Sequence, residues 1–252
     1  MSKIYDALRK AELGKGKFKG KKLRKKPLSG GPRAKLLFSG VDDELRRAML
    51  HLKNSIDSTI KEKASKVVMF TSSSQGEGKT TITASIARVI ALGETDRVLL
   101  VDCAVQRPQL HNLFGIENEK GILEFLSEGL KLEEVVRSVD AGVLDIIPTG
   151  RVRDTEIMQP LFASDRMEAF VKEASENYDY VFIDTSSAIS APETPIIGSF
   201  VDGIILVIHS GKTKREVIKR AIMLLEKLGG KVIGTVLNRK KYYIPEFIYK
   251  RV

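Results

Sequence analysis

The sequence predicts an α/β fold, a doubly wound and mostly parallel sheet with helices on both faces, behind a basic N-terminal extension. Three observations carry that reading. Six short apolar runs, at 67–70, 97–102, 143–148, 180–184, 203–208 and 231–237, lack polar alternation, as expected for strands buried on both faces. Stretches with helical spacing of apolar residues separate most of them. One strand–helix junction carries the run Gly76-Glu77-Gly78-Lys79-Thr80-Thr81.

Taken in order, Asp42 or Asp43 starts a helix that runs to about Lys61. The strand at 67–70 leads through the loop TSSSQGEG into a helix with Ile82, Ile86, Val89 and Ile90 on one face. The four strands from 97–102 to 203–208 follow. Before the last strand, Val217, Ala221, Leu224 and Leu228 form a helical stripe. Thr213 and Glu216 have capping-box spacing there, and Gly229 stands where a C-cap belongs. The chain has no internal repeat.

Composition narrows the class. With one cysteine in 252 residues, a disulfide scaffold and a Cys-rich zinc site are excluded, and a reducing compartment is expected. The apolar runs are too short to span a bilayer, and MSKIYDALRKAE lacks the apolar core of a secretory signal. A soluble cytoplasmic protein is the expectation.

The net charge of +10 sits in the tail, because residues 1–35 hold 13 Lys/Arg and 2 Asp/Glu. The rest is therefore close to neutral. Ile4, Ala7, Leu8 and Ala11, with Ser2 as a cap, suggest a short helix over 1–13. Residues 14–39 read as a basic flexible linker, since eight Lys/Arg between Lys15 and Lys26 repel one another and have little to bury. A solvated tether and a contact with an anionic surface both fit this tail. Peripheral membrane contact through 1–35 is kept as an expectation, and nucleic acid is not expected. The folded domain is assigned to 40–241 and a tyrosine-containing tail to 242–252.

The glycine-rich run carries the chemistry. After a strand and at the start of a helix, small residues let main-chain N–H groups close around phosphate oxygens, and the helix adds its positive end. Lys79 then reaches the β- and γ-phosphates, and the Thr80 hydroxyl can hold magnesium. The expected nucleotide-binding set is Ser74, Gln75, Gly76, Glu77, Gly78, Lys79, Thr80 and Thr81. Ser73 stands where the usual pattern begins with Gly. Magnesium also needs carboxylates at neighbouring strand ends, and Asp102 and Asp184 are the candidates, although either could instead cap a following loop. Asn238 ends the last strand, where a side-chain amide could read a base edge or form a turn.

SSSQGEGKTT, RVLLVDCAVQRPQLHNLFG, NYDYVFIDTSSA, VDGIILVIHSGKTKREV and GTVLNR together resemble the bacterial tyrosine autokinases (BY-kinases, CpsD/CapB type) of capsule and exopolysaccharide synthesis, over about 40–240. The resemblance implies a P-loop NTPase fold related to the ParA and MinD ATPases. It implies ATP and magnesium as cofactors, autophosphorylation of C-terminal tyrosines in trans within a homo-oligomer, and activation by a membrane chain-length determinant (Wzz-like). That partner would place the protein at the inner membrane's cytoplasmic side. Lys79 and Thr80 match the Walker A positions, Asp102 the first Asp of Walker A′, Asp184 the Walker B Asp, and Asn238 the adenine contact. Lys79, Asp102 and Asp184 are the implied catalytic residues, and Thr80, Asp102 and Asp184 the metal ligands. Partition ATPases carry an extra Lys at the position of Ser74, so its absence favours the kinase branch.

Tyr242, Tyr243 and Tyr249 cluster in the last eleven residues and are the expected phosphoacceptors. Tyr243, Ile244, Phe247 and Ile248 could alternatively dock as an amphipathic end.

Four departures from the family pattern are visible. Walker A′ reads Asp102-Cys103-Ala104-Val105-Gln106, so its second carboxylate becomes Ala104 and its Arg becomes Gln106. Gln75 and Ser187 replace prolines, and Leu50 ends the Glu44-x-x-Arg47-x-x-Leu50 segment where relatives have Arg for ring contacts. Ala104 weighs most, because losing a positioned general base lowers a rate by about 10²–10⁴-fold. The favoured reading is a tyrosine autokinase controlling polysaccharide polymerisation or export. An impaired ATP-dependent switch is the alternative, and a ParA/MinD-type ATPase stands behind both.

Overall fold

A computed structural model describes residues 43–93, 95–151 and 158–240. The N-terminal helix and linker expected over 1–39, and the tail with Tyr242, Tyr243 and Tyr249, lie outside the described residues. Helix α1 (Asp43–Thr59) precedes strand β1 (Lys66–Ser72), which runs through the glycine-rich loop into α2 (Lys79–Ala91). Strand β2 (Val98–Cys103) leads to the short helices α3 (Leu110–Phe114), α4 (Ile122–Glu128) and α5 (Leu132–Val135). Strands β3 (Arg137–Val139) and β4 (Leu144–Ile147) form a hairpin, followed by α6 (Met158–Phe162), α7 (Asp165–Asn177) and β5 (Tyr180–Thr185). Helix α8 (Glu193–Gly198), β6 (Gly203–His209), α9 (Arg215–Lys227) and β7 (Val232–Asn238) complete the order.

The seven strands lie in the order β3-β4-β2-β5-β1-β6-β7, all parallel except β3 against β4. Alternate residues of the central strands enter opposite cores, as the two-residue period of a strand requires. Val68 and Phe70 of β1 pack with Ile56 of α1 and Ile86 of α2, whereas Val67 and Met69 join Phe170 of α7 and Leu225 of α9. Every residue of β2 and β5 is buried. That is the doubly wound arrangement the apolar runs predict.

Helix α1 is tied to the start of β5 by a polar knot. The Tyr180 hydroxyl donates to Asp57 at 2.6 Å, and Lys53 reaches the other oxygen of Asp57 at 3.0 Å. Burial and that carboxylate push the Tyr180 hydroxyl up to about 12.

Three local expectations are corrected. Strand β7 pairs only with β6, so it is an edge strand, with Thr235 and Leu237 exposed and not buried on both faces. The stripe of α9 falls on Ile218, Ala221, Ile222 and Leu225, while Leu228 is exposed. The expected capping box does not form, because the Thr213 hydroxyl donates to Glu77 and the helix starts at Arg215. Gly229 does adopt the left-handed conformation of a helix stop, at φ 89°. Among the described residues no helix is long and apolar enough to cross a membrane.

Candidate nucleotide-binding site

The register of the sheet assembles the site. Asp102 of β2 and Asp184 of β5 are directly paired positions, and Phe70 of β1 pairs with Asp184 from the other side. Two carboxylates thus stand side by side where β1 gives way to the loop, at the carboxyl ends of parallel strands. The loop turns through Gly76 and Gly78, both left-handed at φ 78° and 93°, a conformation that suits glycine. Gly78 has a second requirement: a Cβ there would lie 2.2 Å from the Asn238 side-chain nitrogen.

Other side chains hold the loop in place. The buried Glu77 carboxylate accepts the Ser74 main-chain N–H at 3.1 Å and the Thr213 hydroxyl. The Asn238 amide donates to the Glu77 carbonyl at 2.9 Å. Helix α2 begins at Lys79, so its N-terminus opens into the cleft, and no side chain caps it. Unoccupied N–H groups at such an end attract anions.

The two carboxylates are not equivalent. Asp102 is a main-chain clamp: one oxygen accepts Ala104 N–H at 3.0 Å, and the other accepts Gln109 N–H at 3.1 Å and Leu110 N–H at 3.0 Å. It fixes the loop after β2, and its charge reaches the cleft through Asp184. Asp184 accepts the Thr80 hydroxyl at 2.6 Å on one oxygen, while its other oxygen is buried with no partner among the described residues. Burial, and then the neighbouring Asp102, push the Asp184 carboxyl up to about 8. Burial also raises Asp102, against the pull of its three N–H donors. A proton shared between the two therefore resides on Asp184, the oxygen pair without main-chain donors. The orphaned oxygen next to the Thr80 hydroxyl fits a magnesium ligand pair, with oxygen donors of the hard type that ion prefers. Cys103, the next residue of β2 and paired with Thr185, has its thiol raised well above the ordinary range by burial and by the same carboxylates, which leaves it inert.

Lys79, Thr80, Thr81, Gln75, Gly76 and Gly78 line one side of the cleft. Ala104, Gln106, Arg107, Gln109, Ser186, Ser187 and Arg239 line the remainder. Among the described residues this wall contains three cations and no carboxylate, which suits a polyanion.

Three positions that depart from the family pattern meet here. Gln106 donates to the Ser190 carbonyl at 2.8 Å, the Gln75 amide approaches Gln106 at 3.5 Å, and Ser187 and Ser190 share a hydrogen bond through their hydroxyls. An uncharged bridge thus links the phosphate loop with the loops after β2 and β5. Glu77 as a brace, Ser190 and Arg239 carry no signal in the sequence, since each acts through the folded loops around it.

The comparisons agree with this geometry. Residues 68–244 match the family of CobQ/CobB/MinD/ParA nucleotide-binding domains. The tyrosine-protein kinase YwqD of Bacillus subtilis is 32% identical over 190 residues, covering 75% of this chain and 79% of its own length. The tyrosine-protein kinase etk of Escherichia coli is 28% identical over 204 residues, and the match spans 80% of this chain but only 28% of that protein. The solved kinase domain of Escherichia coli ETK superposes with a TM-score of 0.75 at 26% identity, over 88% of this chain and 85% of that one. A parallel sheet with the loop after β1, paired aspartates on β2 and β5, and a YwqD-like sequence over most of its length lead to one assignment: this chain belongs to the bacterial tyrosine-kinase branch of the CobQ/CobB/MinD/ParA nucleotide-binding family.

Proposed function

We propose that the chain is an ATP- and magnesium-dependent tyrosine autokinase, acting in trans on Tyr242, Tyr243 and Tyr249 of a second copy. The carrying observation is the Thr80–Asp184 pair, 2.6 Å apart, beside Lys79 at the open end of α2. The triphosphate would rest on the loop N–H groups and the helix end, with Lys79 neutralising its terminal oxygens. Thr80 and the orphaned oxygen of Asp184 would hold magnesium, which supplies charge neutralisation of the phosphates when bound. In the transfer, a tyrosine oxygen bonds to the γ-phosphorus as the bond to the β–γ bridging oxygen breaks, the phenol proton passes to water, and ADP leaves. The protein's part is positioning and electrostatics, and Arg107 and Lys79 supply the positive field. The resemblance adds a Wzz-like membrane partner at the cytoplasmic side and control of polysaccharide polymerisation or export to this proposal.

A second reading rests on the cleft wall. With Ala104 where relatives have a carboxylate, and no other acid lining the opening among the described residues, nothing there accepts the tyrosine proton. That favours slow turnover, down to a nucleotide-dependent switch that never transfers phosphate. Mass spectrometry of the full chain, purified from cells that also hold the membrane partner, separates the two. The kinase reading expects phosphate on Tyr242, Tyr243 or Tyr249 that vanishes in Lys79→Met. Bare tyrosines in a wild-type protein that still binds ATP would replace it with the switch.

A further inference from the structure

The two edges of the sheet are built differently. Strand β3, at one edge, has three residues and carries Arg137, the short and charged form that discourages further pairing. Strand β7, at the other, has seven residues, VIGTVLN, without a charge or a proline. It pairs only with β6, so its outer main-chain N–H and C=O groups have no strand beside them among the described residues. Leu237 pairs with Ile208, a residue of the core under α9, and so projects on the α9 side. Leu237 at 61% and Met223 of α9 at 63% are the most exposed large apolar residues among those described. An uncharged apolar edge of this length is a template for a further strand.

Residues 241–252 continue from this edge and lie outside the described residues. Arg239, the first residue after β7, is left-handed at φ 56°, a conformation that tight reversals between antiparallel strands use. Such a reversal takes about two to five residues, which leaves enough of 239–252 to lie beside all seven positions of β7. The segment carries Tyr242, Tyr243, Ile244, Phe247, Ile248 and Tyr249, residue types that favour strands. Pro245 and Glu246 stand in its middle, and a proline or a charge is what stops pairing at an outermost strand. The blunting that β7 lacks is present in the segment that follows it.

We propose that the outer edge of β7 is a docking surface for this chain's own segment 242–252, which returns antiparallel along it as an eighth strand. Docked there, Tyr242, Tyr243 and Tyr249 are withheld from the cleft of a second copy, so the edge sets how often the tail is presented. That consequence rests on the autokinase reading, whereas the docking does not.

Hydrogen–deuterium exchange of the full chain without nucleotide, read on the peptides of β7 and of 242–252, tests it. The proteins are wild type, Leu237→Lys on the edge, and a double variant of the segment, Phe247→Asp with Ile248→Asp. The expected result is reciprocal: β7 amides in the double variant, and 242–252 amides in Leu237→Lys, exchange at least about tenfold faster than in wild type. Peptides from β2 and β5 should exchange alike in all three proteins, which shows that the fold is retained. Segment amides that exchange at the unprotected rate in wild type would overturn the proposal, as would β7 amides equally protected in wild type and the double variant. Protection that falls on dilution, with a doubled mass by light scattering, would give the edge to a second copy and overturn it too. Phosphate on the tail tyrosines reports on the autokinase reading separately: phosphate without protection removes the docking alone, and protection without phosphate removes only its regulatory consequence.

Discussion

Asp184→Asn is expected to stabilise the nucleotide-free protein at pH 8 while destroying its response to magnesium and ATP. Burial, and then Asp102, push the folded-state carboxyl up to about 8 against 3.8 for an exposed carboxyl, so between those values the folded protein holds a proton that the unfolded chain has released. Stability therefore falls as pH rises across that window, by about 1.4 kcal/mol per pH unit from this group alone. Below the window both states are protonated and above it both are ionised, so the contribution is flat outside. Asn cannot titrate, which makes the stability gap between variant and wild type grow from pH 5 to pH 8. Thermal or urea unfolding at several pH values measures it. Parallel curves for the two proteins would mean that Asp184 is ionised in the folded state throughout.

The cost of that buried, partnerless oxygen is the kind of local conflict that functional sites retain. A cation bound at Thr80 and Asp184 would have to displace that proton, so the stabilisation by magnesium with ATP should grow as pH rises from 6 to 8.

Ala104→Asp should raise the rate of tail phosphorylation by about 10²-fold, the lower end of what a positioned base contributes. Ala104 lines the cleft, and its N–H already binds Asp102, so a carboxylate on its Cβ would enter the wall that now has none. The same change adds a third acid beside Asp102 and Asp184, and the nucleotide-free variant should lose stability as pH rises. Ala104→Asn matches the shape without the charge and should leave the rate where it is. Phosphotyrosine formation timed with magnesium and ATP distinguishes them. If the Asp and Asn variants are equally slow, the missing carboxylate is not what limits the chemistry, and the uncharged bridge through Gln106 becomes the next candidate.

Much of this was legible in the sequence, for reasons that differ by element. Strands β1, β2, β5 and β6 are buried on both faces, and that burial writes itself as unbroken apolar runs. The loop is readable because a phosphate cradle demands small residues, a Lys and a hydroxyl at fixed spacing. Asp102 and Asp184 were visible as acids closing apolar strands, but their unequal roles were not. Which oxygen has main-chain donors depends on how residues 103–110 fold back, and no pattern encodes that. The capping box at Thr213 had the right spacing, yet Glu77, 136 positions earlier, takes its hydroxyl. Strand β7 reads like a buried strand although it lies at the sheet edge, since the sequence does not state strand order. The bridge among Gln75, Gln106, Ser187 and Ser190 looked like separate substitutions until the fold brought them to one opening.

The central claim is that loop N–H groups, Lys79 and the Thr80–Asp184 pair grip a magnesium-bound triphosphate. Calorimetry of the folded full chain with ATP and magnesium at pH 7, run in two buffers of different protonation enthalpy, tests it most directly. The account predicts saturable binding with a proton released to the buffer as Asp184 ionises, and at least about tenfold weaker binding in Lys79→Met. Binding that is absent in wild type, or that Lys79→Met leaves intact, would contradict it.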